Sequence, residues 1–336
     1  MKSQQIAQVN SMGINLTCIS ENKIALIMFR KPSFHLPLHA DSELDFVVPH
    51  FFLTEFDYAR SLEQGVIDDL DPEYTHQYRV TLRRIRSLCS LLRELIPPFE
   101  QRILKPHLRI MMKKTNKLRD LDVFILDKNQ YIEMLPNHKS SLEQLFCFIE
   151  SERAYEQAKV TRWLDTQEYT THCTLIRNSM LRSTQHEPVD SNVPALLFAS
   201  QKISVQFKKV DKARRKISDK SRDSVIHSMR IKCKALRYLL EGFSTLYPSQ
   251  QHKNNVKQLK LLQDKLGDFN DTSSQIEFFA QLKETANLNK QDRKALKKLI
   301  NVLSEHHELS RQTILTHLSQ FESFIRDTNT QNLYRP

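Results

Sequence analysis

Tyr78, Leu82, Ile85, Cys89 and Leu92 step along the 336-residue chain by four, three, four and three. Residues three and four apart share one face of a 3.6-residue turn, so the run predicts a helix with one buried seam. Met229, Cys233, Leu236, Leu240 and Phe243 repeat it member by member, 151 residues later. The displacement persists downstream, where Leu108 falls on Leu259 and Met111 on Leu262. Two helices per copy keep register, which marks a duplicated half.

Start and stop signals give the other elements. A helix is expected from His50 to about Asp69. Asp71, Pro72 and Glu73 then supply an N-cap, a proline at the first helical position and an early acid for the seam helix. That helix runs from Pro72 to Leu95, and Pro97-Pro98 stops it. A third covers Phe99 to Asp127 with an irregularity near Arg119-Asp120, and a fourth covers 138–182 with a break near Thr166. Ser183 to Pro194 reads as a linker. Helices at 194–217, 222–246, 249–285 and 290–327 follow, with a turn at Pro248. The count is four major helices per half. Ile24 to Phe29 reads as a short strand or extended piece within an irregular lead-in, residues 1–48, that holds Pro32 and Pro37.

Composition sharpens this to an all-α chain. There are 4 glycines, whereas average usage of roughly 7% would give more than about 20. Such scarcity argues against Gly-rich nucleotide loops, tight β-hairpins and doubly wound sheets. None of the five cysteines (Cys18, Cys89, Cys147, Cys173, Cys233) forms a C-x-x-C pair, and they read as reduced core thiols of a cytosolic protein. No apolar run approaches the roughly 20 residues of a membrane helix, and the N-terminus lacks a secretory apolar region. The expected location is the cytoplasm, with no membrane partner.

The two seam helices also carry matched cations. His76, Arg79, Arg83 and Arg86 are spaced three, four and three apart, and His227, Arg230, Lys234 and Arg237 repeat them at the same displacement. At about 100° per residue each basic stripe lies roughly 120° around its helix from the apolar seam. Lys+Arg number 50 against 39 Asp+Glu, a net charge of +11 with pI near 9.3. Net charge alone allows scattered, solvated cations; ordered stripes in duplicate point to a polyanion.

These blocks resemble a known family. His76-x-x-Arg79-Val80-x-x-Arg83-Arg84-x-Arg86, Leu118-Arg119-Asp120-Leu121-Asp122-Val123, His227-x-x-Arg230-Ile231-x-x-Lys234-x-x-Arg237-Tyr238 and Leu266-Gly267-x-x-Asn270-Asp271 are similar to the CHAD family, named for a histidine-bearing α-helical domain. The resemblance spans roughly 50–327. It implies two four-helix bundles, residues 49–183 and 194–330, related by an internal pseudo-two-fold, with basic side chains of both lining a central cleft. It also implies binding of inorganic polyphosphate, association with polyphosphate granules, no catalytic activity and no cofactor. Three positions depart from the internal match: Arg84, Lys113 and Lys117 fall on Ala235, Asp264 and Asp268.

The chemistry fits that implication. A linear phosphate polymer repeats one anionic unit, so regularly spaced cations recognise it, and arginine's planar fork can hold two phosphate oxygens at once. The expected contacts are the six Arg/Lys of the stripes, joined by Arg109 and Lys260 from the third helix of each half. Lys212 and Arg215 come from the helix before His227. His76 and His227 would donate hydrogen bonds and gain charge beside a polyanion.

Other readings remain open in the sequence. Asp120 and Asp271, with Asp122, Asp264 or Asp268, could hold Mg²⁺ through phosphate oxygens in a triphosphate or polyphosphate hydrolase, or could cap a helix or pair with stripe arginines. Ser20-Glu21-Asn22-Lys23 does not match the E-x-E-x-K strand of the hydrolysing domains sometimes joined to CHAD domains. Nucleic acid is permitted by charge, yet Tyr78 and Phe243 fall on the apolar seam and interleave no aromatic with the cations. His306-His307 point to different helix faces and are assigned no role. The oligomeric state is left open.

Overall fold

Leu44, Val48, Phe52 and Phe56 step by four and are buried along the first helix, α1 (Leu44–Ser61). It begins ahead of the expected His50 and carries Pro49 inside it. Proline forfeits one main-chain hydrogen bond there, and burial of the apolar face outweighs that loss. The structure, a computed structural model, describes residues 34–39, 42–185 and 193–336. The expected strand at Ile24–Phe29 lies outside the described residues, as does most of the Ser183–Pro194 linker.

After α1 come α2 (Glu63–Ile67), α3 (Pro72–Leu91), α4 (Pro98–Lys114), α5 (Asn116–Leu126), α6 (Lys128–Met134), α7 (Lys139–Leu164) and α8 (Gln167–Thr184). The rest of the chain forms α9 (Ala195–Arg214), α10 (Asp223–Gly242), α11 (Gln250–Thr285), α12 (Lys290–Arg326) and α13 (Thr328–Leu333). No strand occurs among the described residues. Asp71 caps α3 as expected, its carboxylate accepting from the Glu73 N–H at 2.7 Å. Thr166 separates α7 from α8 and caps the latter. The 151-residue displacement relates both ends of α3 and α10, the starts of α1 and α9, and the starts of α7 and α12.

One expected helix is broken differently. Residues 98–134 form α4, α5 and α6, with interruptions at Thr115 and Asp127, not near Arg119-Asp120. Thr115 is fully buried and turns its hydroxyl toward the Met111 and Met112 carbonyls at 3.4 and 3.2 Å. Such back-bonding competes with the main-chain ladder. The corresponding stretch of the second half, α11, is continuous, and buried Leu266 stands where Thr115 stands in the first.

Helices α1, α3, α4 and α8 pack in a ring, and so do α9, α10, α11 and α12. All ten seam residues, Tyr78 to Leu92 and Met229 to Phe243, are at most 1% exposed. A further core joins α5, α6 and α7 to the C-terminal part of α11 and the start of α12, through Tyr131, Leu145, Phe146, Phe279, Leu296 and Leu299 among others. Helix α3 also packs against α10. Leu36 and Leu38 are buried, and the Leu36 N–H donates to the Gly242 carbonyl at 2.8 Å. Leu36–Pro336 thus form one compact unit.

Cys89, Cys173 and Cys233 are buried free thiols. Cys147 is not a core residue; it is exposed, because the buried line of α7, Leu142, Leu145, Phe146 and Ile149, leaves position 147 outside. Cys18 lies outside the described residues. No helix among the described residues is long and apolar enough to cross a membrane.

Candidate functional site

The same twist that buries the seams sets the basic stripes of α3 and α10 beside each other. Arg79, Arg83, Arg230, Lys234, Arg237 and His76 are half-buried, whereas Arg86 and His227 are exposed. The best marker of convergence is Lys234. Burial first, then the charges of Arg83 across on α3 and of Arg230 and Arg237 on its own helix, pull its pKa down to about 7; Asp271 opposes them. Burial also lowers the Arg230 pKa, with Arg83 adding to the effect against Asp271. Cations from both helices therefore share one low-dielectric region, where like charges repel more strongly than in water.

Few acids offset this. Asp271 lies 3.9 Å from Arg230, and Glu241 lies 3.6 Å from Arg237. The buried Nε atoms of Arg83, Arg230 and Arg237 have no hydrogen-bond partner among the described residues. Arg84 instead meets Glu55 at 3.8 Å. Its match at Ala235 had already set it apart from a shared ligand set.

Arg79 is engaged inside the fold. Its Nη1 donates to the Met112 carbonyl at 2.6 Å and to Thr115 Oγ1 at 2.9 Å. A cation there satisfies the C-terminal carbonyls of α4 and complements the helix dipole. Burial, opposed by Asp120, brings its pKa down to about 10, with Arg83 and Arg119 adding to the fall. The break at Thr115 creates this helix end. Its counterpart Arg230 meets no such end because α11 runs on.

The two histidines also differ. His227 Nδ1 is hydrogen-bonded to Asn270 Oδ1 on α11. In the first half the position of Asn270 is held by Arg119. Burial and then the Arg119 charge hold His76 below its ordinary pKa, with Arg83 and Arg79 contributing and Glu73 opposing. Arg119 is thus a neighbour of the stripe that the sequence-based list of contacts lacked. Its signal was present in the Leu118-Arg119-Asp120 block.

Arg109 and Lys260 are exposed on α4 and α11, the helices packed against the stripe helices. Lys212 and Arg215 do not join the stripes. Lys212 lines a groove with Lys232 of α10, and Lys232 projects roughly 140° to 160° around the helix from the stripe. Arg215 is paired with Asp211 on its own helix. Asp122 is turned into the fold, 1% exposed and 2.9 Å from Arg153 Nε. Among the described residues no three His, Cys, Asp or Glu side chains gather into a metal-binding group.

An all-helical domain that sets two cationic helices side by side is the class these observations define. The family model described as "CHAD domain" matches residues 52–280, and the chain belongs to the CHAD domain family. Among solved structures it is similar to the CHAD domain from the plant Ricinus communis, with a TM-score of 0.72 at 23% identity over 87% of this chain and 96% of that one. It is also similar to PptA from Streptomyces chartreusis, with a TM-score of 0.62 at 14% identity over 82% of this chain and 98% of that one. At these identities the likeness concerns the fold. No curated protein matches the sequence significantly.

Proposed function

We propose that this protein is a non-catalytic binding module for inorganic polyphosphate, held in a basic cleft between α3 and α10. The observation that carries the reading is the surrounding of Lys234 by Arg83, Arg230 and Arg237, at the expense of its own protonation. A fold keeps mutually repelling, half-buried cations together at a cost in stability, and functional sites are where such costs persist. A polyanion threaded between the stripes would relieve the repulsion. Its unbranched, repeating phosphates suit cations that arrive in register from two matched helices, and membership of the CHAD family supports the same ligand. Nucleic acid is disfavoured by the 1% exposure of Tyr78 and Phe243, the seam aromatics nearest the stripes' cations, which therefore offer them no base-stacking surface.

The test is titration with polyphosphates of defined length at several salt concentrations. Affinity should fall steeply with salt through counterion release, and the Arg83→Ala/Lys234→Ala double variant should reduce the slope of log K against log salt by about 1.4, at roughly 0.7 per lost contact. Unchanged affinity in an Arg83→Ala/Arg230→Ala/Arg237→Ala variant of normal helical content would remove the proposal. Sustained phosphate release with Mg²⁺ or Mn²⁺ would replace it by a hydrolase, and RNA displacing long-chain polyphosphate at equal phosphate would replace it by a nucleic-acid binder.

A further inference from the structure

We propose that the groove between α9 and α10, on the flank of α10 opposite the stripe, is a second site for a linear phosphate chain. It stands on its own observations and does not require the stripes to bind anything. Lys209, Lys212 and Lys216 project into it from α9 and its C-terminal turn, and Ser224, Ser228 and Lys232 project from α10, around a space of about 410 Å³. Four lysines line the groove and, among the described residues, no carboxylate does.

The acids nearby are engaged elsewhere. Asp211 is bound by Arg214 and Arg215, and Asp223 by Arg311 and His307 of α12. Asp219 accepts from the Lys220 N–H. Among the described residues none of the four lysines has an ion-pair partner, which distinguishes them from most arginines of the same helices. Lys232 is also held in place, its ammonium donating to Ser228 Oγ at 2.6 Å. An ammonium has three donors, so others stay available to a ligand.

The first half shows that this groove is separate from the repeated pattern. Lys209, Lys212, Lys216 and Lys232 occupy the positions of Tyr58, Ser61, Gly65 and Thr81, none of them cationic. There α2 covers the flank of α3, so closely that a β-carbon on Gly65 would overlap the ring of Tyr74. In the second half the residues corresponding to α2 form a turn, the flank stays open, and lysines fill it. Point charges on flexible stems, joined by hydroxyls, suit the mobile oxygens of an oligophosphate better than the fixed edges of a base.

The test uses sodium tripolyphosphate and the full chain, with calorimetry as the readout. In the Arg83→Ala/Lys234→Ala background tripolyphosphate should still bind. Adding Lys209→Ala, Lys212→Ala and Lys216→Ala should weaken it at least ten-fold and lower the salt slope by about 2, at roughly 0.7 per phosphate contact. All three lysines are exposed, so helical content by circular dichroism should be unchanged. A parallel titration with long-chain polyphosphate separates the sources: loss at both lengths supports a site for short oligophosphates, and loss with the polymer alone overturns the independent site in favour of a chain passing over from the stripes. Equal affinity at both lengths with and without the lysines overturns the proposal, as does preference for an RNA oligonucleotide at equal phosphate. Failure of the stripe reading would show instead as an undiminished affinity in the double variant with the lysines intact and long-chain polymer as ligand.

Discussion

Arg79 donates to the main-chain carbonyl of Met112 at 2.6 Å, while among the described residues its counterpart Arg230 pairs only with exposed Asp271, 3.9 Å away. Two arginines at matched positions thus do different work. Loss of the Arg79 bond leaves the end of α4 without its cation, and hydrogen bonds to charged groups contribute about 1.5–3 kcal/mol. Arg79→Ala should lower unfolding stability by about that amount. Arg230→Ala should cost under about 1 kcal/mol, as for an ion pair with one exposed partner. Urea unfolding of both variants measures the contrast, and equal losses would show that the Met112 contact contributes nothing.

Lys234 predicts a pH dependence. Its pKa is about 7 in the folded chain and near the ordinary lysine value of 10.5 when unfolded. The unfolded state therefore binds more protons between those values, and the stability of the free protein should rise with pH across that window. A bound phosphate chain favours the ammonium and raises its pKa again, so binding takes up a proton in the same window. Affinity should fall as pH rises from about 7 towards 10. Calorimetry at pH 8 in two buffers of different ionisation enthalpy reads the uptake directly. Heats that do not depend on the buffer would exclude it, and Lys234→Arg should abolish the dependence while keeping the charge.

Much of this architecture was legible in the sequence because its signals are local. Asp71-Pro72-Glu73 states a helix start in three residues, and the period of Tyr78 to Leu92 states which face is buried. The start of α1 was misread because Pro49 is a strong local breaker, and only the burial of Leu44, Val48 and Phe52 against other helices overrides it. The break at Thr115 carries no glycine or proline. It depends on a buried hydroxyl and on Arg79 arriving from another helix, which no spacing reveals. The lysine groove was half visible, as Lys212. Its separation from the stripe follows from the rotation of Lys232 around α10, and its openness from the lack of a counterpart to α2.

Exchanging one residue should make His76 easier to protonate. His76 sits beside Arg119, where His227 has Asn270. Arg119→Asn removes the largest charge that disfavours protonation of His76, so its titration midpoint, followed by NMR of the imidazole, should move up. Burial remains and should keep the shift incomplete. In the unmodified protein a bound polyanion acts in the same sense, so affinity should increase as pH falls below the ordinary histidine range, and His76→Gln should flatten that increase. A midpoint unmoved by Arg119→Asn would mean that burial alone governs the imidazole.

The core shared by α7 and α12 sets how the chain unfolds. Leu145 and Leu296 are 2% and 0% exposed within one cluster, so truncating either empties space beside residues of the other half. Leu145→Ala and Leu296→Ala should each cost about 2–5 kcal/mol, the usual range for a buried leucine. Because the cluster draws on α5, α6, α7, α11 and α12, both losses should displace one common transition. Differential scanning calorimetry distinguishes the alternatives: a single endotherm that moves down in both variants agrees with a shared core. Two endotherms, with Leu145→Ala moving one and Leu296→Ala the other, would mean that each half unfolds alone and that the contact between α7 and α12 couples them little.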